Sequence, residues 1–537
     1  MIFPAKRTAW SVLALAMLTI IPLAVVLASW LSPQPEVWQH LRTYVLPQVL
    51  LNTIIISIGV ATLVGVLGIS LAWLTAVCEF PLRRFFSWAL ILPLALPAYV
   101  LAAVEVGLFD YSGVLQTFLR QTFGNQFSLP SIRSMGGAIL VFGLTLYPYV
   151  YLLARQAFLT QGQRSIEAAQ SLGLSRTSAF FRIALPMSRP WWMAGIALAL
   201  METLADFGTV AIFNIDTFTT AIYKAWLSLF NLPVASQLAS LLALTVLLLF
   251  WLEQRTRSQR RYTGNSPHSK TQQQARIRLH GLRGVAALLW CGLIFILAFA
   301  LPVGQLVLWV WQVAASDWDT RYWGFILHSL SLSSLAALIV VSAGLWMAVA
   351  QRQHPGRLTR LWVRTATIGY ALPGMLLSVG LFVPIAWLDN FLLPLWQNLG
   401  ITPAPVLKGT LVVMLLALAA RFMAVGFEPM QAAMQRITFN QEQAAKSLGL
   451  SRWQMLSRLH IPMLKTGWLS ASLLVFVEVM KEMPITLMTR PFDWDTLAVR
   501  VFEMSSEGMW ERAALPSLCI VAAGLLPVIL LVRASDK

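Results

Sequence analysis

Along this chain the nonpolar residues gather into twelve stretches of about 20, separated by shorter polar segments. The stretches run approximately 10–31, 49–78, 87–108, 134–153, 191–213, 236–252, 285–312, 327–350, 365–388, 410–430, 467–488 and 513–532. A bilayer core needs about 20 mostly apolar residues of helix, so each stretch is expected to be a membrane-spanning helix. The first follows Lys6 and Arg7, and its apolar run is longer than the h-region of a signal peptide, without a clear small-x-small cleavage site. It is expected to be a retained anchor. The fold class expected is an all-α polytopic membrane protein.

Composition agrees with that pattern. Of 537 residues, 58% are hydrophobic and 11% charged, against roughly 25% charged in a soluble domain. The formal charge of +17 raises the question of nucleic acid, and the placement of the charges answers it. With the N-terminus inside, the segments on the inner side hold 28 Lys plus Arg, the outer segments 9, and Arg421 and Lys481 lie within spans, which accounts for all 39. Positive residues collect on the cytoplasmic side of membrane proteins, so both termini are expected to be cytoplasmic and no nucleic-acid partner is expected. Cys78, Cys291 and Cys519 sit in nonpolar runs without metal-ligand spacing.

The most polar stretch, 253–283, carries Arg255, Arg257, Arg260, Arg261, Lys270, Arg276 and Arg278. It reads as a basic cytoplasmic linker (254–283) between a first domain, 1–253, and a second, 284–537. Within it GNSPHSKT (264–271) is a poor phosphate-binding loop: Ser269 replaces the second glycine and Pro267 interrupts it. The two domains are related by a constant shift. AAQSLGLSR at 168–176 recurs as AAKSLGLSR at 444–452, displaced by 276 positions, and the same shift carries Ala95-Leu96-Pro97 onto Ala371-Leu372-Pro373, Pro186 onto Pro462, Glu202 onto Glu478 and Asp206 onto Glu482. Each domain has an even number of spans, so the repeats enter the membrane in the same direction, about a pseudo-twofold axis along its normal.

The duplicated segment lies in the inner loops 160–189 and 436–465. Its alanine-rich stretch favours a short helix that Gly173 or Gly449 can end in left-handed backbone. Ser175 and Ser451 can cap a second short helix, with Gln454 completing a capping box in the later copy. Each loop is thus expected to be a helix-turn-helix on the cytoplasmic face.

Glu167-Ala168-Ala169, Gly173 and Ile183-Ala184-Leu185-Pro186 fit the signature EAA(x3)G(x9)I-x-LP, and by it the chain resembles the permeases of binding-protein-dependent ABC importers. The second copy keeps Ala444, Ala445, Gly449 and Pro462, departs at Gln443, Leu459 and Ile461, and has Glu442 one place early. The resemblance implies a fold of 12 transmembrane helices as two parallel six-helix repeats of the MetI-like type I class. It implies that the loops, through Glu167, Ala168, Ala169, Gly173, Pro186, Ala444, Ala445, Gly449 and Pro462, seat in two cytosolic ABC ATPase subunits. It further implies a periplasmic substrate-binding protein as partner, a multi-pass place in the bacterial inner membrane, no cofactor, and ATP hydrolysis by the partner rather than by this chain.

Ionisable residues at membrane depth are costly and default to functional candidates. Glu202 and Asp206 share one face of the fifth span at i, i+4, and Glu478 and Glu482 share one of the eleventh, with Lys481 beside them. Such oxygens suit hard cations, and the five residues are expected to line a translocation path; packing or pairing with Lys481 or Arg421 is the other reading. METLADFGT (201–209) and VMKEMPITLMTRP (479–491) resemble the ferric-iron branch of the fused permeases, which implies ferric iron as cargo. Thiamine, polyamine, phosphonate or sulfate are the other cargoes of that class. A proton-coupled secondary transporter accounts for the spans but not for the duplicated loop, and a membrane enzyme lacks a nucleophile or metal cluster near the acids. No catalytic residue or stable metal site is expected. His328 and His460 are expected to make ordinary polar contacts, and Pro93, Pro97 and Pro373 to kink the third and ninth spans.

Overall fold

The computed structural model describes residues 5–124, 130–162, 171, 173–260, 276–317, 320–400 and 406–535. Glu167, Ala168, Ala169 and the segment 264–271 lie outside the described residues. The elements that organise the chain begin with α1 (Ala5–Ala28), α2 (Leu46–Val77), the short strand β1 (Cys78–Glu79), α3 (Ala98–Phe109), α4 (Met135–Ala157), α5 (Arg189–Ala205), α6 (Gly208–Ile212) and α7 (Leu232–Arg260). Next come β2 (Ile277–Arg278), α8 (Leu282–Phe295), α9 (Leu301–Asp317), α10 (Thr320–Gln353), α11 (Arg357–Ile368), α12 (Gly374–Asn398) and α13 (Leu411–Gln435). The chain continues through α14 (Phe439–Ser447), α15 (Lys465–Lys481), α16 (Pro484–Thr489) and α17 (Trp510–Ser535).

Among the described residues ten helices are long and apolar enough to cross a membrane. An eleventh arises if Ser457–Met463 and Lys465–Lys481, bent by 51°, form one span. All twelve expected segments fall on helix, but several are interrupted. The third is broken by a tight turn, Leu92–Ala95, before α3 starts after Pro97, and the ninth by Gly369–Ala371 before α12 starts after Pro373. Pro97 and Pro373 have nearly the same backbone angles, φ −58° with ψ 145° and 140°. A proline there ends the preceding turn and opens the next helix without losing a needed donor. Side chains satisfy carbonyls around the breaks: Tyr147 donates to the Leu90 carbonyl at 2.9 Å, and Arg421 to that of Leu372 at 3.3 Å.

The 276-residue shift recurs in the element boundaries. It carries α4 onto the start of α13, α5 onto α15 at both ends, and the start of α6 onto that of α16. Near-identical cut points in helices of different sequence are the structural form of the repeat.

The chain divides into two compact units, each discontinuous in sequence. One takes residues 1–42, 221–244 and 318–500; there α10 packs along α13 and α15, and α1 lies against α11 and α12. Small residues let these helices approach: a Cβ on Gly344 would stand 2.8 Å from the Gly426 backbone, and one on Gly380 would stand 2.6 Å from Pro22. Trp346 donates to Ser11 Oγ at 2.9 Å. The other unit takes 43–220, 245–317 and 501–537, with α2, α4 and α5 packed together and α17 against α9. Its close approaches are Gly68 and Gly195 on Val150, and Gly524 on Ala95. The sequence division at 253 and 284 follows the repeat, whereas the units do not: α1 packs with helices of the second half, and α8, α9 and α17 belong with helices of the first.

Candidate functional site

The second duplicated loop, 436–465, in the unit that contains α15, is built as a pair of capped turns. Thr438 and Gln441 form a capping box that starts α14. The helix ends where Leu450 N–H reaches the Ala445 carbonyl (3.2 Å) and Gly449 N–H that of Lys446 (2.9 Å), with Gly449 at φ +77°. That bonding satisfies the last carbonyls and needs a residue at ease in left-handed backbone. Ser451 and Gln454 then form the second capping box, Ser451 N–H donating to Gln454 Oε1 at 2.9 Å and Gln454 N–H to Ser451 Oγ at 3.3 Å. Pro462 lies in the turn Ile461–Met463, immediately before the 51° bend into α15.

Glu442 holds this loop to the bundle. Its Oε1 accepts from Arg352 Nε at 3.1 Å, at the end of α10, and lies 3.2 Å from His460 Nε2. Arg352 also donates to the Ile437 carbonyl at 2.9 Å, and its guanidinium covers the Phe439 ring at 4.0 Å. The three side chains are 13%, 17% and 5% exposed for Glu442, Arg352 and His460. In a helix, residues three apart share a face, so Glu442 and the buried Ala445 point inward while Gln443 and Ala444 are exposed. The displacement of the glutamate by one place turns it onto the inner face. The signal that could have found this pair was Arg352 at the end of the eighth span. His328 likewise makes an ordinary polar contact, with its Nδ1 3.2 Å from the Asp495 carbonyl and its ring stacked on Trp494.

The described part of the first loop, in the other unit, follows the same plan. Gly173 has φ +84°. Ser175 Oγ accepts from Ser178 N–H at 3.3 Å, opening the turn Arg176–Ala179, and Pro186 lies in the turn Leu185–Met187 before α5. Both loops present apolar side chains outward: Phe181 and Met187 in the first; Phe439, Leu448 and Ile461 in the second. An exposed apolar surface on a capped, rigid hairpin is suited to a protein partner.

The acids inside the spans divide by role within each unit. α5 stops at Ala205, and Asp206 Oδ1 accepts from Thr209 N–H at 2.8 Å, so its carboxylate caps the start of α6. Correspondingly α15 stops at Lys481, and the buried Glu482 accepts from Ile485 N–H at 2.9 Å and Thr486 N–H at 3.3 Å, capping α16. A Cβ on Gly374 would lie 2.8 Å from Glu482 Oε1. Helix starts leave N–H groups without partners, and inside a membrane a carboxylate is an effective acceptor for them. The i, i+4 pattern therefore runs across a break rather than along one helix face. Glu202 in α5 and Glu478 in α15 stay half-buried within helix, Glu478 bonded to Lys481 Nζ at 2.8 Å. Two further buried acids escaped the sequence reading: Glu105 in α3, and Asp389 in α12, whose oxygens accept from the Leu407 and Lys408 N–H groups at 2.8 Å each. Among the described residues no group of three or more His, Cys, Asp or Glu is placed to hold a metal.

Comparison with known proteins fits this architecture. The model of the binding-protein-dependent transport system inner membrane component matches twice, at residues 64–258 and 340–537. An Fe(3+)-transport system permease protein of Haemophilus influenzae is 26% identical over 499 residues, covering 91% of this chain and 90% of that protein. A sulfate transport system permease protein of Salmonella typhimurium is 32% identical over 192 residues, 35% of this chain and 68% of that protein. A molybdenum transport system permease protein of Haemophilus influenzae is 31% identical over 185 residues, 34% of this chain and 79% of that protein. With two matched domains, a duplicated capped hairpin and apolar helices throughout, the chain belongs to the family of binding-protein-dependent transport system inner membrane components, as a fused, two-domain multi-pass permease of an ABC importer.

Proposed function

We propose that this permease carries ferric iron, received from a periplasmic binding protein and passed to the cytoplasm at the expense of ATP hydrolysed by two separate ATPase subunits. The observation that carries the cargo is the likeness to the Fe(3+)-transport permease, which runs through nearly the whole of both chains. The sulfate and molybdenum relatives each match about a third of this chain. The acids support the same choice. Glu202 and Glu478 occupy equivalent places in the repeat, half-buried at membrane depth, where carboxylate oxygens favour a hard cation and repel an oxyanion.

In this reading both termini are cytoplasmic, and the loops around Gly173 and Gly449 receive the motion of the ATPases as they close on ATP. Glu442, with His460 beside it in the loop, ties the second loop to Arg352 at the end of α10 and makes it a lever on that helix. Asp206 and Glu482 line the path with Glu202, Glu478 and Lys481 while also capping the helices that restart after the breaks. Each opening of the path is a population shift driven by nucleotide.

The test is reconstitution of the chain with its ATPase and binding protein in proteoliposomes, following radioactive iron. ATP-dependent accumulation that falls at least tenfold in the Glu202→Gln/Glu478→Gln variant is the expected result. Uptake of sulfate, molybdate or thiamine but not iron moves the cargo within the importer class. Uptake by the chain alone on a proton gradient makes it a secondary transporter.

A further inference from the structure

The last part of the polar linker folds back onto the end of α2. β2 pairs in parallel with β1, Cys78 opposite Ile277 and Glu79 opposite Arg278, and Leu279 N–H donates to the Glu79 carbonyl at 3.0 Å. This seam borders a cavity of about 550 Å³. Its lining combines Trp73 and Phe180, whose rings lie 4.5 Å apart, with Arg278, His280 and Arg283. The acid at the seam, Glu79, is engaged by Arg83 at 3.1 Å and Arg276 at 3.5 Å. Among the described residues neither Arg278 nor Arg283 has an ion pair, and both are exposed. The cavity therefore keeps its positive charge.

The surroundings decide what kind of anion fits. Leu282 lines the cavity and is 89% exposed. From it an apolar stripe, Leu282, Val285, Leu289 and Leu293, runs along α8 at three- and four-residue spacing, exposed throughout. The opposite side of α8 is buried at Gly284, Ala287, Cys291 and Ile294, and on its flank Trp290 Nε1 donates to Ser70 Oγ at 3.2 Å. A cationic cavity at the end of a membrane helix, continued by a bare hydrocarbon-facing stripe, matches an amphiphile better than a soluble anion.

We propose that this cavity is a binding site for an anionic phospholipid. Its phosphate lies among Arg278, His280 and Arg283, its headgroup lies over Trp73 and Phe180, and its acyl chains follow the α8 stripe. Phe180 belongs to the first cytoplasmic loop and Arg278 to the returning linker, so the lipid bridges these two segments. The inference rests on the reading of the chain as a membrane protein and is independent of its cargo.

The test uses the full chain in nanodiscs of phosphatidylcholine with a photoactivatable phosphatidylglycerol. Cross-links are expected on residues 73–79 and 276–283, displaced by unlabelled phosphatidylglycerol but not by phosphatidylcholine or soluble glycerol phosphate. At about tenfold loss per 1.4 kcal/mol and roughly 1 kcal/mol per basic residue near a membrane surface, Arg278→Gln/Arg283→Gln should weaken binding roughly 30-fold. The double lysine variant should retain most of it. Cross-links confined to other surfaces, or unchanged affinity in the glutamine variant, overturn the site. Displacement by glycerol phosphate at the concentration that suffices for phosphatidylglycerol overturns the lipid as its source. Cross-linking on the unsubstituted chain decides the matter even where a variant does not fold, and a failure of iron transport leaves this readout untouched.

Discussion

Replacing Glu442 by alanine should free the second duplicated loop from the bundle and let its helix α14 open more often. Glu442 is 13% exposed and its partners Arg352 and His460 are 17% and 5% exposed, so the contacts are largely shielded from water. Removing one member of a buried ion pair costs about 3–5 kcal/mol. The lower end applies, because Arg352 keeps the Ile437 carbonyl and the Phe439 ring as partners. A loss of about 3 kcal/mol corresponds to roughly a 100-fold increase in local opening. Amide hydrogen exchange of the peptide covering 439–447, followed by mass spectrometry on the purified chain in nanodiscs, reads that opening directly. Exchange should accelerate by up to 100-fold in Glu442→Ala and by roughly tenfold in Glu442→Gln, which keeps an acceptor but no charge. Gln443→Ala removes the neighbouring exposed side chain and should change nothing. Unchanged protection in Glu442→Ala, or equal acceleration in Gln443→Ala, would refute the latch.

Other expectations bear on different parts of the molecule. Gly449→Val forces a branched side chain into φ +77° where a Cβ meets nothing, so the cost is backbone strain of about 1–2 kcal/mol. ATP hydrolysed per ion transported should rise, and Gly449→Asn should be milder. Gly195→Leu places a side chain whose Cβ would stand 2.6 Å from the Val150 Cα, and overpacking of about 1–3 kcal/mol should lower the thermal midpoint of the purified chain. Burial holds the His460 imidazole below its ordinary value of 6.5, the Glu442 carboxylate opposes this, and Arg352 adds to it. The folded chain thus keeps His460 neutral where the unfolded chain takes a proton. That stability is complete above pH 6.5 and is lost as pH falls from 6.5 toward the depressed value. Thermal midpoints measured from pH 7.5 to 5.5 should fall, and His460→Gln should flatten the slope.

The spans, the repeat and the caps of the loops were legible because each rests on local pattern. Runs of apolar residues report depth, a fixed shift reports duplication, and Ser451 with Gln454 is a box that closes within four residues. The breaks at Asp206 and Glu482 were hidden, since an apolar run gives the same reading whether or not the helix within it is continuous. An acid that caps a break and an acid that faces a path carry the same letter. Glu442 was misleading for a geometric reason: one residue is 100° of helix, so a shifted glutamate meets different neighbours, and its partner lies 90 positions away. Nothing in sequence marks which helices α1 will join, because the small residues that receive it, such as Gly380, are ordinary in membrane helices.

That last contact sets a timetable for biosynthesis. α1 is made long before these partners: Thr19 reaches the Ala366 carbonyl across 347 positions, and Ser11 meets Trp346 across 335. At about 5–20 residues per second of translation, α1 waits roughly 17–70 s in the bilayer before α10 and α11 emerge. During that interval α10, α11 and α12 are absent, and a ribosome stalled in the linker would leave α1 inserted without them. Joining the halves in one polypeptide keeps the late partner tethered to the early one, so assembly is a search within a single molecule rather than an encounter between two.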